Sequence, residues 1–361
     1  MENKLDKARK EINEIDKQMA ELFVKRMRAA EAVAEYKRER GLAILDEARE
    51  AEVVRNGSAR VEDETIREYY VNFLKNTMAV SRAYQGRLMK GMKVAYSGTE
   101  GAFAHIAACK LYPAAEKIAF ADFTKAYKAV ENGECDIAVL PVENSYNGEV
   151  GQVTDLMFSG SLYVNGIYNL PITQDLLAKN GTRIEDIKEV VSHPQAFGQC
   201  SEYIQRHGFT CHEFANTALA AKWVRENGDK CVAAIASREA AEIFDLEVID
   251  HDINASRSNS TRFAIFSRVA SKIPTGGGVH SILLFTVRNE AGALAKAIDV
   301  IGQHGFNMRT LRSRPMKDLL WEYYFYIEVE GSIDNEAGAD LLKCLGEFCD
   351  KLKFAGTYIK L

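Results

Sequence analysis

Proline is scarce in this chain of 361 residues, with six in all and none in the first segment, which ends near Gly91. Glycine is sparse there too: Gly41, Gly57 and Gly86 are its only glycines before Gly91, and two of them fall where helices should break. Such a segment lacks the turn chemistry of a β domain and is left free to form long helices. Cysteine supplies no framework, because the seven residues are an odd number without a CxxC pair. They read as the reduced thiols of a cytoplasmic protein. Positive charge is not in excess: the net charge of −5 argues against nucleic acid or an anionic membrane as partner. No long apolar run occurs. The longest uncharged stretch, 156–174, contains Asn, Ser, Gln, Gly and Pro, so it is not a membrane span. The seven histidines are scattered and HExxH is missing, so neither a metal nor another cofactor is expected. The first residues read as a charged helix rather than a secretory signal.

What is present is ordinary soluble composition, 47% hydrophobic and 27% charged, at a length that implies two to three domains. From residue 1 to about 40, Ile12, Ile15, Met19, Leu22, Phe23, Ala30 and Val33 recur at helical spacing. At about 100° per residue, Arg26 and Lys37 fall within roughly 40° of Ile12, inside the apolar stripe. A charge on a buried face is costly unless paired. The stripe therefore faces something anionic, either a bound ligand or the carboxylates of Asp46 or Glu50. A short helix near 46–56 and a third over about 61–88 follow, with Asp63 and Glu64 suited to the first turn of the third. Three helices, one of them about 60 Å long, cannot bury that stripe alone, so the segment should dimerise. The alternative is a solvent-exposed coiled coil, which would not place two cations on its seam.

Residues 92–271 have α/β texture. Short apolar runs at 94–96, 137–142, 190–191 and 232–236 read as buried parallel strands. Each ends in a polar cluster: Gly98-Thr99-Glu100-Gly101, Glu143-Asn144-Ser145, Ser192-His193-Pro194-Gln195 and Ser237-Arg238. Ligands of open α/β sheets bind at the carboxyl ends of strands, so four such ends predict one crevice. A linker by composition spans 271–278. Beyond it, strands at 281–287, 307–312, 322–330 and 354–360 and helices at 292–304 and 335–350 give the βαββαβ order of a ferredoxin-like domain.

The first segment resembles the all-helical chorismate mutase family in the spacings of Arg9, Arg26, Lys37, Asp46, Arg49, Glu50, Ser81 and Gln85. The resemblance implies an intertwined dimer in which Arg9 reaches into the partner's site. It also implies a pericyclic rearrangement of chorismate to prephenate, which needs no nucleophile. Arg26 and Arg9 would grip carboxylates, the planar fork of Arg suiting them. Lys37 and Gln85 would donate to the ether oxygen, and Glu50 and Asp46 would orient the hydroxyl end and hold Arg49. The second segment resembles prephenate dehydratase through Gly98-x-x-Gly101 with Phe103, Glu143-Asn144-Ser145 with Gly148, Ser192-His193-Pro194-Gln195 with Gln199 and Cys200, and Thr261-Arg262-Phe263 after Asn259. Ala102 and Ala104 stand where that family usually has small hydroxyl residues. The resemblance implies two subdomains of periplasmic-binding type with substrate between them. Thr261 would be the proton donor to the departing hydroxyl, Asn144, Ser145, Ser192 and Gln199 would position substrate, and Arg262 and Glu143 would belong to the site. A strand threonine paired across a sheet is the plainer reading of Thr261.

The third segment resembles an ACT domain through Asn289, Gly292-Ala293-Leu294, Ser313-Arg314-Pro315 and Trp321-Glu322. Backbone groups at the Gly292 turn and the Ser313 loop would bind L-phenylalanine between paired domains, with feedback inhibition as the outcome. Arg312 stands where Glu is usual before Ser-Arg-Pro, reversing a charge beside that effector. A domain that only dimerises remains the alternative. The implied whole is multidomain: a helical mutase segment over 1–90, an α/β dehydratase over 92–270 and an α+β regulatory domain over 279–361. It would convert chorismate to phenylpyruvate as a cytoplasmic homodimer or larger homo-oligomer. An arogenate-preferring dehydratase and a non-catalytic aromatic-metabolite sensor are the other readings.

Overall fold

The computed structural model describes residues 3–255, 259–271, 278–316 and 322–361. It divides into two compact units, Met1–Met92 and Lys93–Leu361. Most of the 271–278 linker and Trp321 of the third motif lie outside the described residues.

The first unit is three helices, α1 (Lys4–Glu39), α2 (Glu47–Ser58) and α3 (Glu64–Lys90). Gly41, at φ +62°, follows the end of α1. Asp46 caps α2 by accepting from Arg49 N–H (3.0 Å), and Asp63 caps α3 by accepting from Thr65 N–H (2.8 Å), so Asp63 precedes the first turn rather than lying in it. Gly57 is no breaker. It is buried within α2, where a Cβ would come 2.5 Å from Leu74 Cδ1 of α3. Ala30 and Ala34 of α1 are buried with Met78, Ser81 and Gln85 of α3. The rest of the stripe stays open: Ile12, Ile15, Met19, Leu22 and Phe23 are 42–63% exposed.

The second unit begins with β1 (Lys93–Ser97), α4 (Phe103–Leu111), β2 (Glu116–Phe120), α5 (Phe123–Glu131), β3 (Ile137–Asn144), β4 (Gly148–Glu149), α6 (Gly151–Ser159) and β5 (Tyr163–Pro171). The chain then crosses to a second sheet through β6 (Asp175–Ala178), β7 (Glu189–Ser192), α7 (Pro194–Gln199), α8 (Ser201–His207), β8 (Thr210–Glu213), α9 (Thr217–Asn227), β9 (Val232–Ala236), α10 (Arg238–Phe244) and β10 (Glu247–Asp250). It returns to the first sheet as β11 (Ser260–Ser267). The strand orders are β2-β1-β3-β11-β5 and β10-β6-β9-β7-β8. This is the two-subdomain layout the resemblance implied, and the runs read as parallel strands pair in parallel, β1 with β3 and β7 with β9, within sheets that as wholes are mixed. β11 runs antiparallel to β3 and β5, the chain re-entering the first sheet from the opposite end, and in the second sheet β6 runs antiparallel to β9 and β10.

The third segment is β12 (Val279–Thr286), α11 (Ala293–Gln303), β13 (Met308–Pro315), β14 (Tyr323–Glu330), α12 (Glu336–Gly346) and β15 (Leu352–Ile359), in the sheet order β13-β14-β12-β15. Ser313 therefore lies on a strand rather than in a loop. β12 is buried at every position because both faces of this sheet are covered. Leu283, Phe285, Ile327 and Val329 pack with α11 and α12. Ile282, Leu284, Tyr326 and Tyr358 share a core with Val164, Ile167, Ala264 and Phe266 of the first α/β subdomain. The approach is close: a Cβ on Gly356 would lie 2.3 Å from the Val164 carbonyl oxygen.

Candidate functional site

In the helical unit the cations of the stripe meet α3 and the loop after α1. The Arg26 guanidinium donates to Ser81 Oγ and, at 3.4 Å, to the Thr77 carbonyl. Lys37 Nζ donates to the Ile44 carbonyl at 2.6 Å. Gln85, one turn beyond Ser81, is buried, and its Oε1 has no hydrogen-bond partner among the described residues. An amide held this way can donate without titrating. The acidic partners differ from expectation. Glu50 pairs with Arg82, which the stripe did not flag because it lies one residue off the face of Ser81. Arg49 pairs with Glu52 at 2.6 Å, and Asp46 is occupied as a helix cap, so neither carboxylate holds the Arg49 side chain. Arg9 lies on the exposed part of α1.

The second unit carries a cleft of about 820 Å3 between its two α/β subdomains. Three of the four polar strand ends line it: Gly98 and Thr99 after β1, Asn144 at the end of β3, and His193 and Gln195 after β7. The fourth does not. Ser237 caps α10 and Arg238 pairs with buried Asp175 at 3.2 Å. At Gly101, φ is +81° and a Cβ would sit 3.1 Å from the Phe244 ring of the other subdomain. Glycine fits both requirements.

At the floor of the cleft, β3 and β11 pair in the register Thr261↔Asn144 and Arg262↔Glu143. Asn144 Nδ2 donates to Thr261 Oγ1 (2.9 Å), Asn259 Oδ1 (3.0 Å) and the Ser260 carbonyl (3.2 Å). Its Oδ1 accepts from the N–H groups of Tyr146 and Asn147 at 3.0 and 2.9 Å. The amide is therefore fixed in orientation, and the Thr261 oxygen accepts a hydrogen bond while its own proton stays available. Gln199 lines the cleft and accepts from Gln174 Nε2 at 3.2 Å.

Other expected residues lie elsewhere. Ser192 is fully buried and donates to the Ile235 carbonyl at 2.6 Å, stitching β7 to β9. Ser145 Oγ accepts from Ser260 N–H at 3.0 Å and so shapes the loop after β3. Glu143 and Arg262 alternate away from Asn144 and Thr261. They pair with each other (3.1 Å) on the face toward the third segment. Gln174, Asn216 and Thr217 also line the cleft, and the sequence carries no signal that sets them apart. Asn216 and Thr217 look like an ordinary helix start, and Gln174 stands in a connector with no motif around it.

In the third segment, Gly292 (φ +85°) precedes α11 and, with Asn289, is exposed, while Ala293 and Leu294 open that helix half-buried. Ser313 is exposed on β13. Strand alternation puts Arg312 and Arg314 on the opposite face. Arg312 pairs with Glu143, and Arg314 with Asp155 at 3.0 Å. The reversed charge at Arg312 is thus turned away from Ser313 rather than set beside it. On the helical face, His304, Asp340 and Cys344 hold potential metal-ligand atoms within 4.8 Å of one another, and His304 Nε2 lies 3.3 Å from Asp340 Oδ2.

Three family models match the chain: chorismate mutase type II over residues 8–86, prephenate dehydratase over 94–271 and the ACT domain over 281–346. A bifunctional chorismate mutase/prephenate dehydratase of Neisseria gonorrhoeae is 32% identical over 360 residues, covering 97% of this chain and 95% of that one. Arogenate dehydratase/prephenate dehydratase 2 of Arabidopsis thaliana is 33% identical over 276 residues, 74% of this chain and 72% of its own length. The structure of prephenate dehydratase from Arthrobacter aurescens in complex with L-Phe matches at a TM-score of 0.69 and 27% identity, covering 74% of this chain and 90% of that one. Because the likeness to the Neisseria protein runs through all three segments in the same order, this chain belongs to the bifunctional chorismate mutase/prephenate dehydratase family.

Proposed function

We propose that this chain rearranges chorismate to prephenate in its helical unit and converts prephenate to phenylpyruvate in the α/β cleft, under feedback control by L-phenylalanine. The observation that carries the reading is the fixed Asn144–Thr261 pair at the cleft floor. The ring carboxylate leaves as CO2, and the electron pair of its bond to the ring aromatises the ring and expels the hydroxyl. Thr261 gives its proton to that hydroxyl, which leaves as water. Asn144 Nδ2 supports the negative charge growing on the Thr261 oxygen, a preorganised donor worth on the order of 3 kcal/mol in a dry site. The threonine then regains a proton from solvent. Gln199 positions substrate, while Ser145 and Ser192 act through the backbone they hold.

For the first reaction, Arg26 and the partner subunit's Arg9 take the substrate carboxylates. Lys37 and Gln85 donate to the ether oxygen, and Glu50, steadied by Arg82, orients the hydroxyl end. Ser81 holds Arg26, whereas Asp46 and Arg49 shape the start of α2. A second copy of the chain is the occupant proposed for the open stripe of α1, since apolar side chains exposed in a row along one helix are costly in water. We place the domains at 1–90, 92–270 and 279–361. L-Phenylalanine is taken up near Asn289, Gly292, Ala293, Leu294 and Ser313. No described helix is long and apolar enough to cross a membrane. A cytoplasmic site suits seven unpaired thiols, of which burial pushes Cys200 up to about 12 and Cys135 up to about 11.

The test is to supply chorismate alone and follow prephenate and phenylpyruvate with and without L-phenylalanine. Phenylpyruvate that appears through prephenate and falls with L-phenylalanine is the expected result. Prephenate that accumulates unconsumed would refute the dehydratase assignment and make arogenate the next substrate. No turnover would favour a sensor.

A further inference from the structure

The covered face of the third sheet ends, beside the cleft strands, in four alternating charges. Arg312 of β13 pairs with Glu143 of β3. Glu143 pairs with Arg262 of β11 at 3.1 Å. Arg262 grips Glu328 of β14 through two contacts, at 2.8 and 3.2 Å, and reaches the Tyr358 hydroxyl at 3.0 Å. The Glu328 side chain is 3% exposed and that of Arg262 21%, so the chain of charges is poorly screened and each member depends on its neighbours. Two positive and two negative groups balance. Removing Arg312 leaves two carboxylates sharing one guanidinium.

This chain of charges is one residue away from the chemistry. Glu143 precedes Asn144, Arg262 follows Thr261, and the two couples are cross-strand pairs in consecutive register. A sideways shift of Glu143 or Arg262 therefore moves the Asn144–Thr261 hydrogen bond with it. Arg312 is also the residue before Ser313, on the other face of the same strand. A ligand that moves β13 from the Ser313 side moves Arg312 too.

We propose that Arg312 is a positioning residue for the dehydratase reaction: through Glu143 it ties β13 to the paired ends of β3 and β11 and so holds Thr261 and Asn144 in their working geometry. It touches no substrate. Its side chain carries the state of the regulatory sheet into the cleft.

The inference rests on the dehydratase reading above. The test is steady-state kinetics of the full-length Arg312→Gln and Arg312→Lys variants with prephenate, with chorismate rearrangement in the same preparations as the fold control. For Arg312→Gln, kcat for phenylpyruvate formation is expected to fall tenfold or more with KM within about threefold and mutase turnover unchanged. L-Phenylalanine should inhibit what activity remains less than it inhibits the parent. Arg312→Lys, keeping the charge, should recover most of kcat. Should the glutamine variant not fold, Arg312→Met, which keeps the stem beside Tyr326, carries the same expectation. Parent-like kcat and inhibition without the charge would overturn this inference alone. A parent chain that leaves prephenate untouched would overturn the dehydratase reading and this inference with it.

Discussion

Asn144→Asp is the sharpest probe of the cleft, because it changes one NH2 group to an oxygen and almost nothing else. Oδ1 still accepts from Tyr146 and Asn147 N–H, so the turn after β3 is kept. On the other side, the new oxygen faces Thr261 Oγ1, Asn259 Oδ1 and the Ser260 carbonyl, three atoms that now accept from Nδ2 at 2.9–3.2 Å. With a carboxylate there, the Thr261 proton turns toward Asp and away from substrate. Loss of a positioned proton donor is worth about 10²- to 10⁴-fold in rate, or about 3–5 kcal/mol of barrier. Asn259 Oδ1 loses its donor, which should lower stability by about 1–3 kcal/mol, whereas the Ser260 carbonyl keeps the Ser145 N–H at 2.9 Å. The two carbonyl oxygens facing the new oxygen favour its protonated form, whereas the N–H groups of Tyr146 and Asn147 on Oδ1 favour the charged one. Protonated, the carboxyl can donate again, so any return of activity should come only on the acid side of pH 7. The assay is phenylpyruvate formation from prephenate, with chorismate rearrangement by the same molecules as the control. A kcat within threefold of the parent at pH 7, with mutase unchanged, would refute the assignment of Asn144 as the group that orients Thr261.

Four further outcomes follow. Thr261→Ala should stop dehydration and spare the mutase, and Lys37→Ala the reverse; loss of both activities from either change would mean the sites are not independent. Leu22→Glu puts a charge on the open stripe, where burying a leucine against a second copy is worth ~1.5–3 kcal/mol. It should shift the assembly measured by sedimentation toward a smaller species and reduce mutase more than dehydratase turnover; an unchanged assembly would remove α1 from the interface. The parent mutase rate should be nearly flat from mild acid to neutral pH because Gln85 does not titrate, whereas Gln85→Glu, able to donate only when protonated, should acquire an acid optimum. A steep acid optimum in the parent would sink the role given to Gln85. Burial, reinforced by Lys351, pulls the Lys353 ammonium down to about 8. The unfolded chain keeps that proton to about pH 10.4, so the penalty on the folded state is complete below pH 8 and fades as pH rises toward 10. Parent stability in urea relative to Lys353→Met should therefore increase between pH 7 and 9.5, and a pH-independent difference would refute the shift.

Much of this protein is legible as pattern. The spacing of Ile12, Met19, Leu22 and Phe23 specifies a helix, and the missing prolines let it run to Glu39. The two cations on its stripe are legible from the same spacing, but their partners within the chain are neutral oxygens, Ser81 Oγ and the Thr77 and Ile44 carbonyls, and not the carboxylates of Asp46 or Glu50. Apolar runs ending in polar clusters located β1, β3, β7 and β9, since a strand covered on both faces has no polar positions to spend. Thr261 and Asn144, which meet in the cleft, each carry a sequence signal, one as the first of a motif and the other as the end of a strand. Pairing between segments was not readable. That Glu50 meets Arg82 and not Arg49, that β11 returns antiparallel between β3 and β5, and that Ser192 turns into its sheet all depend on contacts between residues far apart in the chain.

The clearest division falls at two neighbouring pairs. Sequence marks Glu143-Asn144 and Thr261-Arg262 as belonging to one site, but it cannot say which member of each pair faces substrate. A strand alternates, and the choice of face is made by what packs on either side. Here the third sheet lies against one face of β11 and claims Glu143 and Arg262 through Arg312 and Glu328, leaving Asn144 and Thr261 to the cleft. Local periodicity determines which elements form; register and layer packing, fixed by burial of both faces of the shared core, decide which side chains face the cleft and which connect it to the rest of the molecule.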